Sequence, residues 1–234
     1  MASTISIQST INWAKPYLKL QPLNVNNLEP GLTAANIILE TMLGPPLRWR
    51  FNRASLSINL LAGSTDYQIA VPDLGFIETQ WLADASGKIH ELNGAVSLAK
   101  EGQEARPKEI AAQYDDNAGN ITFRVKPAPN ALYTAYMDYQ KKAPILSSWA
   151  QTWSPIPDEF GYCFNWGFLT VVGMLTNDSR FPVWEKYFLG RLLGAQDGLD
   201  DQAKAIFLGN WSEVAATLTR RTGLVNAGVS GRGI

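Results

Sequence analysis

The sequence predicts an α+β protein: a helical bundle formed by the N- and C-terminal segments, an inserted antiparallel β domain (small sandwich or barrel), and an extended C-terminal arm. Three observations lead there. Before residue 47 and again after residue 147, apolar side chains recur at spacings of three and four, the period of a helix face. Between those points they alternate with polar ones in short runs broken by Gly, Pro, Asn and Asp. After Leu218 neither period persists. The expected divisions are therefore 1–46 (N-terminal helices), 47–146 (β domain), 147–218 (helices completing the bundle) and 219–234 (arm).

Ser9 to Leu20 is the first helix, a loosely attached one because Pro16 interrupts it and its apolar residues are sparse. A stronger helix follows Asn26, Asn27 and Pro30, where Asn caps and Pro is tolerated in the first turn. Its stripe is Leu28, Leu32, Ala35, Leu39 and Met42, and Gly44-Pro45-Pro46 ends it.

The β domain opens at Leu47 with aromatics alternating against arginines from Arg48 to Arg53, followed by Leu56, Ile58 and Leu60 against Ser55, Ser57 and Asn59. A turn at Ala62-Gly63-Ser64 feeds a strand in which Tyr67, Ile69 and Val71 share one face. Further strands are expected over Ile77–Ala83, Lys88–Leu92, Ile110–Tyr114, Ile121–Val125 and Tyr133–Tyr139. Turn clusters at Asp84–Gly87 and Asp115–Asn120 make local hairpins the simplest connection. Asn93 to Lys108 reads as a long exposed loop.

In the last third, Pro155, Pro157, Asp158 and Glu159 mark a helix start, and Ile156, Phe160, Phe164, Phe168, Val171 and Leu175 continue at helical spacing. Gly161, Gly167 and Gly173 cost helix propensity there but permit close approach of a neighbour. Asn177-Asp178-Ser179 caps a helix bearing Val183, Trp184, Tyr187, Phe188, Arg191 and Leu192; another spans Leu199 to Trp211 with Ala203, Ile206 and Phe207. From Thr219 to Ile234 there are three arginines, no acid and no aromatic, and the glycines are too frequent for a helix. The arm nevertheless keeps Leu224, Val225, Val229 and Ile234, which suits a segment that orders on a partner.

Composition narrows the function. A net charge of -1, from 20 basic and 21 acidic residues spread along the chain, argues against a nucleic-acid clamp or a membrane-surface protein. One cysteine, Cys163, sits in an apolar context that predicts a buried, inert thiol. No stretch reaches the ~20 apolar residues of a membrane span, and Met1 to Ile7 has no basic export signal, which predicts a protein of the cytosol. His90 is the lone histidine, so no histidine zinc site is predicted, and no phosphate-binding loop occurs. Asp115-Asp116 and Asp200-Asp201 read as turn and cap residues and not as a glycosidase pair. The expected catalytic, metal and cofactor residues are none. The eight tryptophans are too scattered for a nucleic-acid stacking platform, so most should be core and some should serve subunit interfaces.

One cadence is more specific. Gly63-Ser64-Thr65-Asp66-Tyr67 opens a strand that ends at Pro72; Arg106-Pro107 precedes another; then come Ile121 to Asn130, with Pro127 and Pro129, and Tyr136-Met137-Asp138-Tyr139 before a helical third. This resembles the head-to-tail adaptor (connector) proteins of tailed bacteriophages, of the short-tailed type. The resemblance implies a structural virion protein without catalysis, made in the bacterial host cytoplasm and residing in the neck. It implies a cyclic homo-oligomer of about twelve copies, bound to the portal protein and to a tail or nozzle protein, with double-stranded DNA passing through unbound and no membrane partner. On that reading the portal-binding arm is Arg220, Arg221, Leu224, Val225, Val229 and Arg232, and the subunit interface involves Trp184, Tyr187 and Trp211. Two alternatives stay open: another connector, stopper or tail-tube component, and a carbohydrate-binding β module using some of Trp49, Trp81 and Trp149.

Overall fold

The structure, a computed structural model, describes residues 3–18, 30–94, 103–116, 119–196 and 199–229. They divide into two compact units, one from the described residues of 1–52 and 143–234 and one from Arg53–Lys142.

The first unit is helical: α1 (Ile7–Leu18), α2 (Gly31–Leu43), α3 (Gly161–Leu175), α4 (Phe181–Gly194) and α5 (Asp201–Val229). Helix α3 is its axis and touches the other four. The sequence reading gives α3 one apolar stripe, but Cys163, Phe164, Phe168, Leu169, Val171, Val172 and Met174 are buried all round it, as a helix surrounded by others requires. Leu39 of α2 and Phe168 of α3 lie in one continuous core that also takes in α4 and α5. The glycines permit the expected close approach: a Cβ on Gly167 would come within 2.8 Å of Phe188, and one on Gly173 within 2.8 Å of Trp184.

Helix α1 is not loosely attached. Ile7, Thr10, Ile11, Ala14 and Leu18 are buried, and Pro16 projects outward near the end of the helix. The segment before it pairs with the chain that follows the β unit, through Ile7 N to Gln151 O at 3.0 Å and Trp153 N to Ile5 O at 3.2 Å. The buried Trp153 indole donates to Thr10 Oγ1 at 2.8 Å. The proposed Asn caps of α2, and Leu28, lie outside the described residues.

Leu47 and Trp49, read from sequence as the opening of the β domain, belong to the helical core. Arg50–Asn52 forms a 3-10 turn in place of a strand, and the Trp49 indole donates to Met42 O at 2.5 Å. The alternating aromatics there pack with Phe160 and not across a sheet.

The extended arm is likewise corrected over residues 219–229: α5 runs without a break to Val229. Extending a helix already anchored by Phe207, Trp211 and Leu218 adds a hydrogen bond per residue without a new nucleation step. The cost of about 1 kcal/mol for a helical glycine is therefore tolerated. Residues 230–234 lie outside the described residues, and from Arg220 to Val229 only the backbone is described.

The second unit holds β1 (Arg53–Leu60), β2 (Asp66–Ala70), β3 (Leu74–Asp84), β4 (Ile89–Glu91), β5 (Glu109–Asp115), β6 (Asn120–Lys126) and β7 (Tyr133–Lys141). They form a four-stranded sheet, β1-β7-β3-β4, and a three-stranded sheet, β2-β6-β5, both antiparallel, enclosing Ile58, Leu82, Ile110, Phe123, Val125 and Met137. The result is an open pair of sheets and not a closed barrel. Hairpins join β3 to β4 and β5 to β6, at the two turn clusters named above, but β7 lies between β1 and β3. Its Tyr133, Ala135, Met137 and Tyr139 are buried, so it takes the central position, where both backbone edges are paired.

Candidate interaction surfaces

His90, Asp84 and Ser86 form one hydrogen-bonded group on the β unit. His90 lies between Asp84 and Arg106, with Nε2 3.0 Å from Asp84 Oδ2 and Nδ1 3.1 Å from Arg106 Nη1. Because the arginine can only donate, Nδ1 accepts and Nε2 carries the proton to Asp84. The Ser86 hydroxyl donates to Asp84 Oδ1 at 2.6 Å, and this bond, with that from His90, holds the Asp84 carboxyl well below the usual range. Ser86 is thus bonded to the carboxylate and not to the imidazole, the wrong order for a nucleophile and its base.

One acid of each pair, Asp116 and Asp200, accepts from a backbone amide. Asp116 accepts from Asn120 N at 3.0 Å and Asn120 Nδ2 at 2.7 Å, and Asp200 accepts from Ala203 N at 2.7 Å at the start of α5. Among the described residues no group of three His, Cys, Asp or Glu side chains could hold a metal, and no described helix is long and apolar enough to cross a membrane. Cys163 is buried, and desolvation pushes its thiol up to about 12.

The tryptophans sort by burial. Trp49, Trp149, Trp153, Trp184 and Trp211 are in the helical core, and Trp81 is half-buried on β3, stacked with Tyr136 of β7 at 5.7 Å. Of the sugar-platform set, two are therefore enclosed. Of the residues assigned to a subunit interface, Trp184 and Trp211 fill the chain's own core, where the Trp211 indole donates to Glu185 Oε1 at 2.7 Å. Tyr187 is 51 % exposed. Arg220, Arg221, Leu224, Val225 and Val229 lie on the last turns of α5, while Arg232 is outside the described residues.

Tyr187 is one end of a row that the sequence reading missed. Its ring lies 4.9 Å from Trp166 of α3, Trp166 lies 5.3 Å from Trp13 of α1, and Trp13 lies 4.9 Å from Tyr17. One turn away from Trp166, Tyr162 carries the Arg191 guanidinium over its ring at 5.3 Å. The row crosses three helices because α1 and α4 both flank α3. Tyr17, Tyr162 and Tyr187 are exposed and Trp13 and Trp166 half-buried, so the rings are wet on one side. A signal existed in the sequence: Trp13/Tyr17, Tyr162/Trp166 and Tyr187/Arg191 are each spaced by four, which puts the members of each pair on one helix face. A belt of amphipathic rings of this kind is suited to docking another protein surface.

No curated protein matches the chain. A family model described as SU10 adaptor protein matches residues 45–212, a span that contains the whole β unit, α3, α4 and the first turns of α5. The match covers more than half of the chain. The chain belongs to the SU10 adaptor protein family and is a phage head-to-tail adaptor, a structural part of the virion.

Proposed function

We propose that the chain is the repeating subunit of a closed ring in the phage neck that joins the portal to the tail and leaves a lumen for DNA. The observation that carries this reading is the family match across both units, from residue 45 to 212. The aromatic belt supports it, since an adaptor works through protein surfaces. The net charge of -1 is compatible with a conduit, because a lumen that does not hold phosphates lets DNA pass. A closed ring requires a heterologous interface, and the adaptor resemblance implies about twelve copies.

The end of α5 is the portal-facing element on this reading. It lies beyond the matched residues, and Arg220, Arg221, Leu224, Val225 and Val229 fall on the last turns of α5. Arg232 extends the cationic set. Docking of such a helix end would make ring assembly conditional on the portal.

The test is truncation after Leu218. Circular dichroism and thermal melting should report an intact fold, and electron microscopy of the truncated protein mixed with portal should lose the ring that the full chain forms. A truncated protein that still caps portals and supports tail joining would assign the contact to the remainder of the helical unit.

A further inference from the structure

We propose that the aromatic belt is one half of the seam between neighbouring copies, and that the other half is the flank of α5 bearing Ile206 and Glu213 on the next copy. The proposal deepens the ring reading and rests on it.

Two faces of the helical unit leave large apolar side chains exposed in the folded chain. The first is the belt, whose exposed edge consists of Tyr17, Tyr162 and Tyr187, with Val183 of α4 56 % exposed one turn before Tyr187. The second is on α5. That helix seats Phe207, Trp211 and Leu218 in the core, and on the flank that carries Glu213 it leaves Ile206 49 % exposed. A Cβ on Gly209, on the same outward side, would meet nothing within 4 Å, so a neighbouring surface can approach Ile206 closely.

Charge selects the pairing. Arg191 stands at the edge of the belt over Tyr162 and makes no ion pair among the described residues. Glu213 follows Ile206 by two helical turns on the same flank and likewise makes no ion pair among the described residues. Belt against belt would bring two arginines together. Belt against the α5 flank brings Tyr187 and Val183 onto Ile206 and lets Arg191 reach Glu213 about 10 Å further along the helix. The two faces differ, so the contact repeats head to tail, as ring closure requires.

The experiment uses single-cysteine variants of the full chain. Cys163 is the chain's one cysteine and is buried with its thiol pushed up to about 12, so an introduced thiol reports alone. Tyr187→Cys and Ile206→Cys, mixed on portal and treated with a short bis-maleimide, should yield a cross-linked dimer several-fold in excess of either variant alone on portal. Predominant dimer from Tyr187→Cys alone would mean that belts face each other and would overturn the seam. Slow maleimide reaction of Tyr187→Cys in the isolated monomer would mean that a segment of the same chain covers the belt, which also overturns it. Rings of the unmodified chain on portal, with no cross-link in the mixture on portal, would overturn the seam and leave the ring reading standing. Absence of both rings and cross-links would overturn both. A charge reversal gives an independent readout: Arg191→Glu should weaken assembly, and Glu213→Arg on the same chain should restore it.

Discussion

Arg53 of β1 stands directly opposite Gln140 of β7. The β unit is therefore entered and left by adjacent antiparallel strands, and its two ends are held side by side by its own hydrogen bonds. This explains how so long an insertion can interrupt a helical core without disturbing it, because the helices on either side see only a narrow gap. The same core joins Leu39, before the insertion, to Phe168, after it.

The first prediction follows from that gap. Opposed residues in an antiparallel pair are about 5 Å apart at Cα. Replacing Arg53–Lys142 by a short Gly-Ser linker from Asn52 to Ala143 should leave a helical unit that unfolds cooperatively. Helical circular dichroism with a sigmoidal urea transition is the expected result; a broad transition with dye-binding, loosely packed helices would show that the strands are needed for the core.

The second concerns the group that ties the gap shut. Glu78, whose side chain is fully buried, meets Arg53 Nη2 at 2.5 Å and accepts from Gln140 Nε2 at 2.7 Å. Arg53 is half exposed, so the two partners are not equivalent. Arg53→Ala leaves a buried carboxylate without its cation and should cost about 3–5 kcal/mol. Glu78→Ala removes the charge together with a partner of Gln140, and should cost about 1–3 kcal/mol. Urea denaturation of the two variants checks the order; equal losses would mean that the carboxylate is not held by the arginine.

The third uses two glycines of the helical unit. A Cβ at Gly167 would meet Phe188 at 2.8 Å and Ile38 at 3.0 Å, whereas one at Gly190 would meet nothing within 4 Å. Gly167→Ala should therefore destabilise by about 1–3 kcal/mol, while Gly190→Ala should stabilise by up to about 1 kcal/mol through helix propensity. Thermal melts of the pair decide it, and a neutral Gly167→Ala would mean that α3 and α4 can separate without loss.

Much of this organisation is legible in the order of residues, and the parts that are not share a cause. Period-two alternation locates β2, β6 and β7, whose burial alternates along most of each strand, and the glycines of α3 announce its close neighbours. Trp49 misleads, since an aromatic alternating with arginines is the same pattern in a strand and in a turn packed on helices. Pro16 misleads in the other direction, as a proline on the outward side of α1 costs less than the apolar contacts of Ile7, Ile11 and Leu18 supply. The arm misleads because local composition omits the helix that precedes it. The aromatic belt is not visible as one object at all: its pairs are local, but the three helices that align them meet only in the tertiary fold.

The last prediction concerns acid. Asp158, at the entry to α3, accepts hydrogen bonds from the Ser3 hydroxyl at 2.8 Å, the Thr4 amide at 2.8 Å, the Thr4 hydroxyl and the Ile5 amide at 3.2 Å. Hydrogen bonds from Thr4 and Ser3 hold its carboxyl down to about 2. An unfolded aspartate titrates near 4, so folding favours the ionised form. The stabilisation is fully present above about pH 4 and is lost as the pH falls toward 2. Asp158→Asn keeps one acceptor oxygen but no charge and should melt below the unmodified protein at pH 6, with the difference in Tm shrinking steadily between pH 4 and pH 2. The group at stake anchors the segment before α1, so the same titration should raise the exchange rates of the Thr4 and Ile5 amides, corrected for intrinsic rate, before the α3 core exchanges. A difference in Tm that holds constant down to pH 2, or amides that open only with the global transition, would show that the carboxylate does not secure the N-terminal segment.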